Sequence, residues 1–253
     1  MEEFRGQTVL VTGASSGIGA AVAVALATAG ASVAVHYRSN ADGARAVLDT
    51  VTSAGARGLL VKADLTEPSG ADEVVGAVEA ELGSIDILIN NAGDLGQRAE
   101  VADVSDEVYQ HIMDLNIGTV FRVCRRVVPT MVERGSGAIV NVSSIAARTG
   151  GGGRSVIYAS AKAAVSTFTR GLAREVGSSG VRVNAVAPGV IDTPFHDRHS
   201  TPERLEKIAA SNPLKRIGTP QDCVGPVLFL ASPVMAGYVT GQVIEVNGGA
   251  LTP

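Results

Sequence analysis

The sequence predicts a single α/β domain in which helices cover both faces of a doubly wound parallel sheet. Short apolar runs rich in β-branched residues alternate with amphipathic segments of helical length, the pattern of repeated β–α–β units. The chain has 253 residues, of which 45% are hydrophobic and 18% charged, enough to bury a sizeable core. Ala, Val and Gly are abundant and Trp is absent, a composition that suits a parallel sheet covered closely by helices.

Seven short apolar runs predict the strands, at residues 8–11, 32–36, 58–62, 85–89, 138–142, 182–186 and 242–246. The segments between them predict helices at residues 17–29, 42–54, 69–82, 105–133, 156–178, 202–210 and 221–231. Because no linker, repeat or charge run divides these elements, we expect residues 1–253 to form one domain. Two segments stand apart: a four-glycine run at 150–153, and a polar stretch at 191–216 that we interpret as a substrate-loop insertion.

The charge balance and the cysteines exclude several classes of function. The net charge is −4 and Lys and Arg form no cluster, so we expect neither a nucleic-acid nor a membrane partner. Cys124 and Cys223 are far apart, which predicts neither a disulfide framework nor a metal knuckle. The first residues do not have the pattern of a secretory leader, and no stretch is long and apolar enough to cross a membrane. We therefore expect a cytoplasmic protein.

A glycine-rich segment follows the first predicted strand and opens directly into a helix. It reads Thr12-Gly13-Ala14-Ser15-Ser16-Gly17-Ile18-Gly19. Glycine is needed where the chain turns sharply and where backbone approaches a pyrophosphate, and the helix N-terminus offers unpaired N–H groups to that anion. A plain glycine-rich turn has a similar composition, but the strand before it and the helix after it favour a dinucleotide site.

The spacing Gly-x-x-x-Gly-x-Gly resembles that of the short-chain dehydrogenase/reductase family, and further marks of that family recur in order along the whole chain. They are Asp64-Leu65, Asn90-Asn91-Ala92-Gly93, Asn116, Ser144, Tyr158-x-x-x-Lys162 and Pro188-Gly189. The resemblance implies a Rossmann-like fold. It also implies a cofactor site in which Asp64 meets the adenine, Asn91 to Gly93 line the cofactor, and Val190, Ile191 and Thr193 hold the nicotinamide carboxamide. Tyr158 and Lys162 are expected to contact the cofactor as well.

Tyr158 and Lys162 are four residues apart in a predicted helix, so both side chains lie on one face. A phenol with an ordinary pKa of about 10 is a poor acid at neutrality, and a nearby ammonium favours its phenolate. We therefore expect Lys162 to lower the pKa of Tyr158, which then donates a proton to a carbonyl oxygen or removes one from an alcohol. Alone, Tyr-x-x-x-Lys is more typical of a surface helix; beside Ser144, Asn116 and the glycine motif it indicates catalysis.

Ser144 is predicted to hydrogen-bond the same substrate oxygen, and the resemblance implies that Asn116 supports Lys162 through a water. The family usually places the serine 13 residues before the tyrosine, whereas Ser144 lies 14 before it, with Ile145 in the usual place. A one-residue insertion in the 150–153 loop accounts for this shift, because loops absorb insertions at little cost. Ser143 remains the alternative.

The end of the second predicted strand indicates NADP(H) as the cofactor. An NAD-specific site places an acidic side chain here, but the sequence reads Tyr37-Arg38-Ser39 and no Asp or Glu follows before Asp42. Arg38 suits the 2′-phosphate of NADPH, with Ser39 and Ser15 as further donors. The alternative is that Arg38 is a solvated loop residue and either cofactor is accepted.

These features predict an NADPH-dependent oxidoreductase that reduces a ketone to a secondary alcohol. Within the family the chain most resembles 3-oxoacyl-thioester (acyl-carrier-protein) reductases, and the resemblance implies a homotetramer. A sugar or polyol dehydrogenase and a non-catalytic NADPH-binding regulator are the alternatives. Arg98, Arg154 and Phe195 are candidate neighbours of the substrate that do not decide between them. His196 and His199 with Asp192 and Asp197 lie in a loop without the fixed geometry of a metal site, and we predict no metal.

Overall fold

The computed structural model describes residues 3–252, and within them seven strands form one parallel sheet. The strands lie in the order β3-β2-β1-β4-β5-β6-β7. Their bounds are β1 Thr8–Val11, β2 Ser32–Tyr37, β3 Gly58–Lys62, β4 Ile87–Asn90, β5 Gly137–Val142, β6 Val181–Pro188 and β7 Val243–Val246. The predicted fold class is therefore confirmed, and the predicted strands are correct to within two residues at each end.

Ten α-helices pack around this sheet in the described part of the chain. They are α1 Gly17–Thr28, α2 Ala41–Ser53, α3 Gly70–Leu82, α4 Asp106–Met113, α5 Thr119–Arg134, α6 Ala146–Thr149, α7 Val156–Val176, α8 Pro194–His199, α9 Pro202–Ser211 and α10 Pro220–Ala231. Short 3₁₀ turns occur at Val101–Asp103 and Gly177–Ser179. None of the helices in residues 3–252 combines the length and apolar character needed to cross a membrane.

Two apolar layers, one on each face of the sheet, form the core. Side chains of a strand alternate between faces, so Val9 and Val11 of β1 join the layer under α1, α2 and α10. Leu10, between them, joins the opposite layer under α3, α5 and α7. All three are fully buried. Burial on both faces explains why the strands are continuous apolar runs rather than alternating ones.

The single helix predicted at 105–133 is interrupted in the structure by one π-helical turn, Asp114–Gly118. The Asn116 side chain lies in this turn, and its Nδ2 donates to the carbonyls of Ile112 (2.9 Å) and Asp94 (2.8 Å). An amide side chain that occupies the carbonyl four residues earlier competes with the backbone ladder and favours a wider turn. The prediction of one regular helix was wrong for this reason.

The order in which the strands follow one another across the sheet reverses between β1 and β4. A crevice opens at this point, beyond the carboxyl ends of the strands. Two short helices that the sequence analysis did not predict, α6 and α8, lie on this side. The helix α8 lies in the first half of the 191–216 segment, and α9 follows it in the same segment. Because the strands are parallel, the segments after β1, β4, β5 and β6 all lie at the carboxyl-terminal end of the sheet.

Candidate active site

The loop between β1 and α1 is tied to the loop after β4 by hydrogen bonds. Thr12 Oγ1 accepts from the backbone N–H groups of Asn91 and Ala92, both at 3.0 Å. In return, Asn91 Nδ2 donates to the carbonyls of Thr12 and Gly13, both at 2.9 Å. Gly13 has φ +63°, and a Cβ there would lie 2.9 Å from the Cα of Ala92. Only glycine permits this close approach.

The N-terminus of α1 lies directly beyond this loop, and one crevice runs past it. A Cβ at Gly17 would lie 3.1 Å from Cγ2 of Thr193, which brings the segment after β6 over the helix start. The predicted residues Ser16, Ile18, Asn91, Gly93, Pro188, Gly189, Val190, Ile191 and Thr193 line a cleft of about 270 Å³ together with Gly13 and Gly17. Gly19 lies buried behind the loop, where a Cβ would collide with Asn91 Nδ2 and the Gly13 carbonyl.

The other end of the crevice is polar and lies beyond β2 and β3. It is lined by the predicted residues Ser15, Arg38, Ser39, Asp64, Leu65 and Ala92. Asp64 accepts from the N–H (2.9 Å) and hydroxyl (2.6 Å) of Thr66, and its carboxylate lies 3.9 Å from Arg38 Nη1. Burial opposes the ionisation of Asp64, but these contacts outweigh it and hold its pKa below the usual value. Tyr37 packs partly buried against the core.

Ser144 and Tyr158 meet at the centre of the cleft, where the Ser144 hydroxyl is close enough to affect the pKa of the tyrosine. Ser144 follows β5, and its Oγ also accepts from the N–H of Ala146 at 3.1 Å. Ser143 has different partners: its Oγ donates to the Lys162 carbonyl (2.9 Å) and lies 2.7 Å from Ser166 Oγ. The geometry therefore brings Ser144, not Ser143, to the tyrosine.

Lys162 is buried beside Tyr158, and its ammonium donates to the Val142 carbonyl at 2.9 Å. Asn116 Oδ1 is buried and has no hydrogen-bond partner among residues 3–252. A Cβ at Gly93 would lie 2.7 Å from this oxygen and 3.1 Å from Lys162 Nζ, so both atoms border one small space next to a glycine. This arrangement suits the water through which Asn116 was expected to support Lys162.

A family profile described as Enoyl-(Acyl carrier protein) reductase matches residues 13–251. The 3-oxoacyl-[acyl-carrier-protein] reductase of Escherichia coli (strain K12) is 39% identical over 246 residues, 97% of this chain and 98% of the relative. The chain belongs to the short-chain dehydrogenase/reductase family. As a member of that family it is an NAD(P)-dependent oxidoreductase that reduces carbonyl groups or oxidises alcohols.

Two solved structures of short-chain dehydrogenases/reductases superpose on the whole chain. One is a 7α-hydroxysteroid dehydrogenase complexed with NADH and 7-oxo glycochenodeoxycholic acid, with a TM-score of 0.93, 35% identity and coverage of 100% of this chain and 97% of that one. The other is the NADH-dependent reductase A1-R′ responsible for alginate metabolism, with a TM-score of 0.92, 32% identity and full coverage of both chains.

Burial controls the pKa values of Tyr158 and Lys162 in this family member. It raises the pKa of Tyr158 to about 12; the charge of Asp94 adds to the rise, and the nearby Ser144 hydroxyl only partly opposes it. Burial also lowers the pKa of Lys162 to about 8. The expectation that Lys162 lowers the pKa of Tyr158 below its ordinary value is therefore wrong for this structure. Tyr158 keeps its proton throughout the neutral range, which suits a proton donor.

The substrate side of the cleft differs from expectation at one position. The Phe195 ring lies 6.0 Å from the Tyr158 ring, so α8 covers the tyrosine. Arg154, by contrast, is 63% exposed and paired with Glu100 at 2.8 Å, outside the cleft. His199 Nε2 lies 2.6 Å from Asp94. Across residues 3–252, no three His, Cys, Asp or Glu side chains are grouped so as to hold a metal ion.

His36 borders the cofactor end of the crevice, and the sequence analysis did not single it out. It is buried at the end of β2, where Nδ1 accepts from the Gly13 N–H at 3.1 Å and Nε2 lies 3.2 Å from the Ala63 carbonyl. Only the neutral ring with its proton on Nε2 satisfies both contacts. Burial lowers its pKa from 6.5 to about 4, so His36 supports the glycine loop in the neutral form.

We expect His36 to make the free energy of unfolding depend on pH. The unfolded chain binds this proton below about pH 6.5 and the folded chain only near pH 4. Its stabilising contribution is therefore full above about pH 6.5, is lost progressively as the pH falls below that value, and is gone once the pH has fallen through about 4. Between pH 7 and pH 5, protonation of His36 in the unfolded chain is expected to lower the free energy of unfolding by about 2 kcal/mol. Urea unfolding at both pH values checks this: the loss on acidification is smaller by that amount in His36→Gln. The exposed His111→Gln is the matched control, and an unchanged pH dependence in His36→Gln contradicts the assignment.

Proposed function

We propose that this protein reduces a ketone to a secondary alcohol with NADPH, using Tyr158 as the proton donor. The observation that carries this proposal is the Ser144–Tyr158–Lys162 group, in which Ser144 and Lys162 are buried, Tyr158 is partly buried between them, and the tyrosine stays protonated at neutral pH. Among the relatives reported above are a 3-oxoacyl-[acyl-carrier-protein] reductase and a 7α-hydroxysteroid dehydrogenase bound to a 7-oxo compound. A 3-oxoacyl thioester or another small carbonyl compound is the substrate class that we assign.

The cofactor residues form a cradle whose shape fits a dinucleotide. Backbone N–H groups at the start of α1 face an anion without competition from a side-chain cap, since Ser16 makes no capping hydrogen bond. When bound, the reduced nicotinamide supplies the hydride that is added to the carbonyl carbon. Thr193 and Ile191 border its end of the cleft, and Asp64 and Arg38 border the adenosine end.

The side chains around the carbonyl oxygen divide the remaining work. Ser144 and Tyr158 both donate hydrogen bonds to that oxygen and hold it in place. As negative charge develops there, Tyr158 transfers its proton to the oxygen. The Lys162 ammonium then stabilises the phenolate that remains, and Asn116 supports Lys162 from the π turn through a bridging water. In the opposite direction, the phenolate removes the proton of an alcohol.

Consumption of NADPH with a panel of carbonyl compounds tests the proposal. The panel contains 3-oxoacyl thioesters, simple ketones and sugars, which separates ketone reduction from a sugar or polyol dehydrogenase. Turnover of at least one ketone is expected. Tight NADPH binding without turnover of any compound in either direction favours a regulator and contradicts the proposal.

The cofactor preference is a separate prediction that depends on Arg38. Two of the relatives are described with NADH, but the end of β2 in this chain offers an exposed guanidinium next to Ser39 and no carboxylate before Asp42. We expect a higher kcat/KM with NADPH than with NADH. In Arg38→Ala, kcat/KM for NADPH falls by about 10- to 100-fold, because a charge-assisted hydrogen bond is lost.

The same kinetic comparison contains its own control. Arg45 is exposed on α2 and lies outside the polar end of the crevice, so Arg45→Ala keeps the wild-type preference. Equal kcat/KM for both cofactors in the wild type, or an unchanged preference in Arg38→Ala, shows that Arg38 does not select the cofactor. In that case the chain uses either dinucleotide.

We also propose that the protein acts in the cytoplasm as a homotetramer. The helices α4, α5 and α7 expose the large apolar side chains Tyr109, Phe121, Val132 and Val156, which a partner subunit would cover. Multi-angle light scattering at micromolar concentration is expected to give about four chain masses. A stable monomer at that concentration contradicts the assembly.

A further inference from the structure

The cleft in front of Tyr158 has a charge balance opposite to that of the whole chain. The chain carries a net charge of −4. Among residues 3–252, however, the Lys and Arg residues that line this cleft are Lys162, Arg98, Arg198 and Arg204, and no Asp or Glu lines it. A cleft with one sign of charge and a low-dielectric wall concentrates ligands of the opposite sign.

Two of these cations already have partners. Lys162 serves the tyrosine and the Val142 carbonyl, and Arg198 Nη2 lies 2.5 Å from the Asp94 carboxylate. Arg98 and Arg204 are different, because neither has a carboxylate within 4.0 Å in the described part of the chain. Burial and the charge of Arg204 hold the pKa of Arg98 below its ordinary value. The two guanidinium groups therefore repel each other, and no carboxylate in the described residues offsets that repulsion.

Backbone carbonyls fix the position of both guanidinium groups. Arg98 donates from Nε to His199 (3.0 Å) and from Nη1 to Gly152 (2.9 Å) and Gly153 (2.7 Å). Arg204 Nη2 donates to Gly152 at 3.2 Å. A Cβ at Gly153, where φ is +61°, would collide with Arg204 Nη1, so the glycine run lets the two arginines lie against it. The pair is held in place before any ligand binds.

These bonds leave donors available on both side chains. Within residues 3–252, Arg98 Nη2 and Arg204 Nε and Nη1 make no hydrogen bond. A carboxylate has two oxygens that accept such N–H groups, and the planar guanidinium is the side chain best suited to it. A bound carboxylate would also remove the repulsion between the two arginines.

We propose that Arg98 and Arg204 bind a carboxylate group of the substrate, which is therefore a small ketone that carries a carboxylate. This inference rests on the proposed function, since it places the ketone at Tyr158 and the carboxylate at the outer end of the same cleft. It assigns the four-glycine segment and the 191–216 segment a shared role. Together they position the two arginines that select the substrate.

Matched acids and esters test the inference. The substrates are 4-oxopentanoate, 5-oxohexanoate and 6-oxoheptanoate, each compared with its methyl ester, so that chain length and charge vary separately. For at least one length we expect kcat/KM for the acid to exceed that for the ester by about 10-fold or more, as a charge-assisted contact provides. That ratio is expected to fall by about 10-fold in Arg204→Gln and Arg98→Gln, mainly through KM.

Arg154→Gln is the matched control, because Arg154 follows the same glycine run but is exposed and paired with Glu100. It is expected to keep the wild-type ratio, whereas Arg204→Lys keeps the charge and part of the preference. Circular dichroism and thermal unfolding show that each variant is folded. An acid-to-ester ratio near one at all three lengths, or a ratio that survives in both glutamine variants, overturns the inference.

A binding measurement separates this inference from the proposed function. Hexanoate and hexanamide, which have no ketone, are titrated calorimetrically into the enzyme saturated with NADP⁺. Binding of hexanoate but not hexanamide, lost in Arg204→Gln and kept in Arg154→Gln, supports the carboxylate site even where no ketone is reduced. Equal binding of the two compounds overturns the site while leaving ketone reduction untouched.

Discussion

Replacement of Tyr158 by Phe is expected to lower kcat for ketone reduction by about 100-fold or more. The substitution removes the hydroxyl that donates the proton and keeps the ring, which packs against Phe195. Ser144 still hydrogen-bonds the carbonyl oxygen, but no neighbouring group supplies a proton as directly. The dissociation constant of NADPH, measured by fluorescence titration, is expected to stay within about twofold because the cradle at β1 and α1 is intact.

Tyr238→Phe is the matched control for this experiment. Tyr238 is fully exposed, so loss of its hydroxyl is expected to leave kcat unchanged. Retention of more than half of the wild-type activity in Tyr158→Phe excludes the tyrosine as the proton donor.

Replacement of Lys162 by Met is the second substitution for which we expect a large effect. The ammonium is buried next to Tyr158, and methionine fills a similar volume without charge. The phenolate left after proton transfer then has no cation beside it, so kcat falls by about 100-fold. Because Lys162 is also a predicted cofactor contact, KM for the dinucleotide rises.

The pH profile distinguishes this role from a structural one. Burial lowers the pKa of Lys162 to about 8. In the wild type, kcat/KM for NADPH is therefore expected to fall as the pH rises through about 8, because the protonated form is lost. Lys162→Met has no group to titrate there, and its profile is flat over that range. Lys62→Met, at an exposed position on β3, keeps the wild-type profile. A limb near pH 8 that persists in Lys162→Met contradicts the assignment.

The sheet was predictable because its strands are buried on both faces. Val9, Leu10 and Val11 are all fully buried, so β1 is recognisable from apolar content alone. The glycine loop was recognisable for a related reason: Gly13 and Gly19 occupy positions where a Cβ would collide with the loop after β4. Such positions restrict the residue type directly.

Features that depend on distant contacts were not predictable. The π turn arises because Asn116 bonds the Asp94 carbonyl from a different element. The pKa of Tyr158 depends on how fully the fold removes the hydroxyl from water, which the Tyr-x-x-x-Lys spacing does not state. The importance of His36 depends on a hydrogen bond to Gly13, 23 residues away in sequence. Arg154 turned out to pair with Glu100 because that carboxylate reaches it from another loop.

The π turn also sets the rotational phase of the long helical segment. The inward-facing side chains along it are Ile112, Asn116, Val120, Val123, Val127 and Met131. From residue 112 to residue 131 the chain advances 19 residues (131 − 112) while returning five times to the same face. A regular α-helix rotates about 100° per residue, so 19 residues would overshoot five full turns by about 100°. The wider π turn rotates less per residue than the α-helix and so removes that excess rotation. Without it, a helix that buried Val123 and Met131 under the sheet would carry Ile112 about a quarter-turn away from the core.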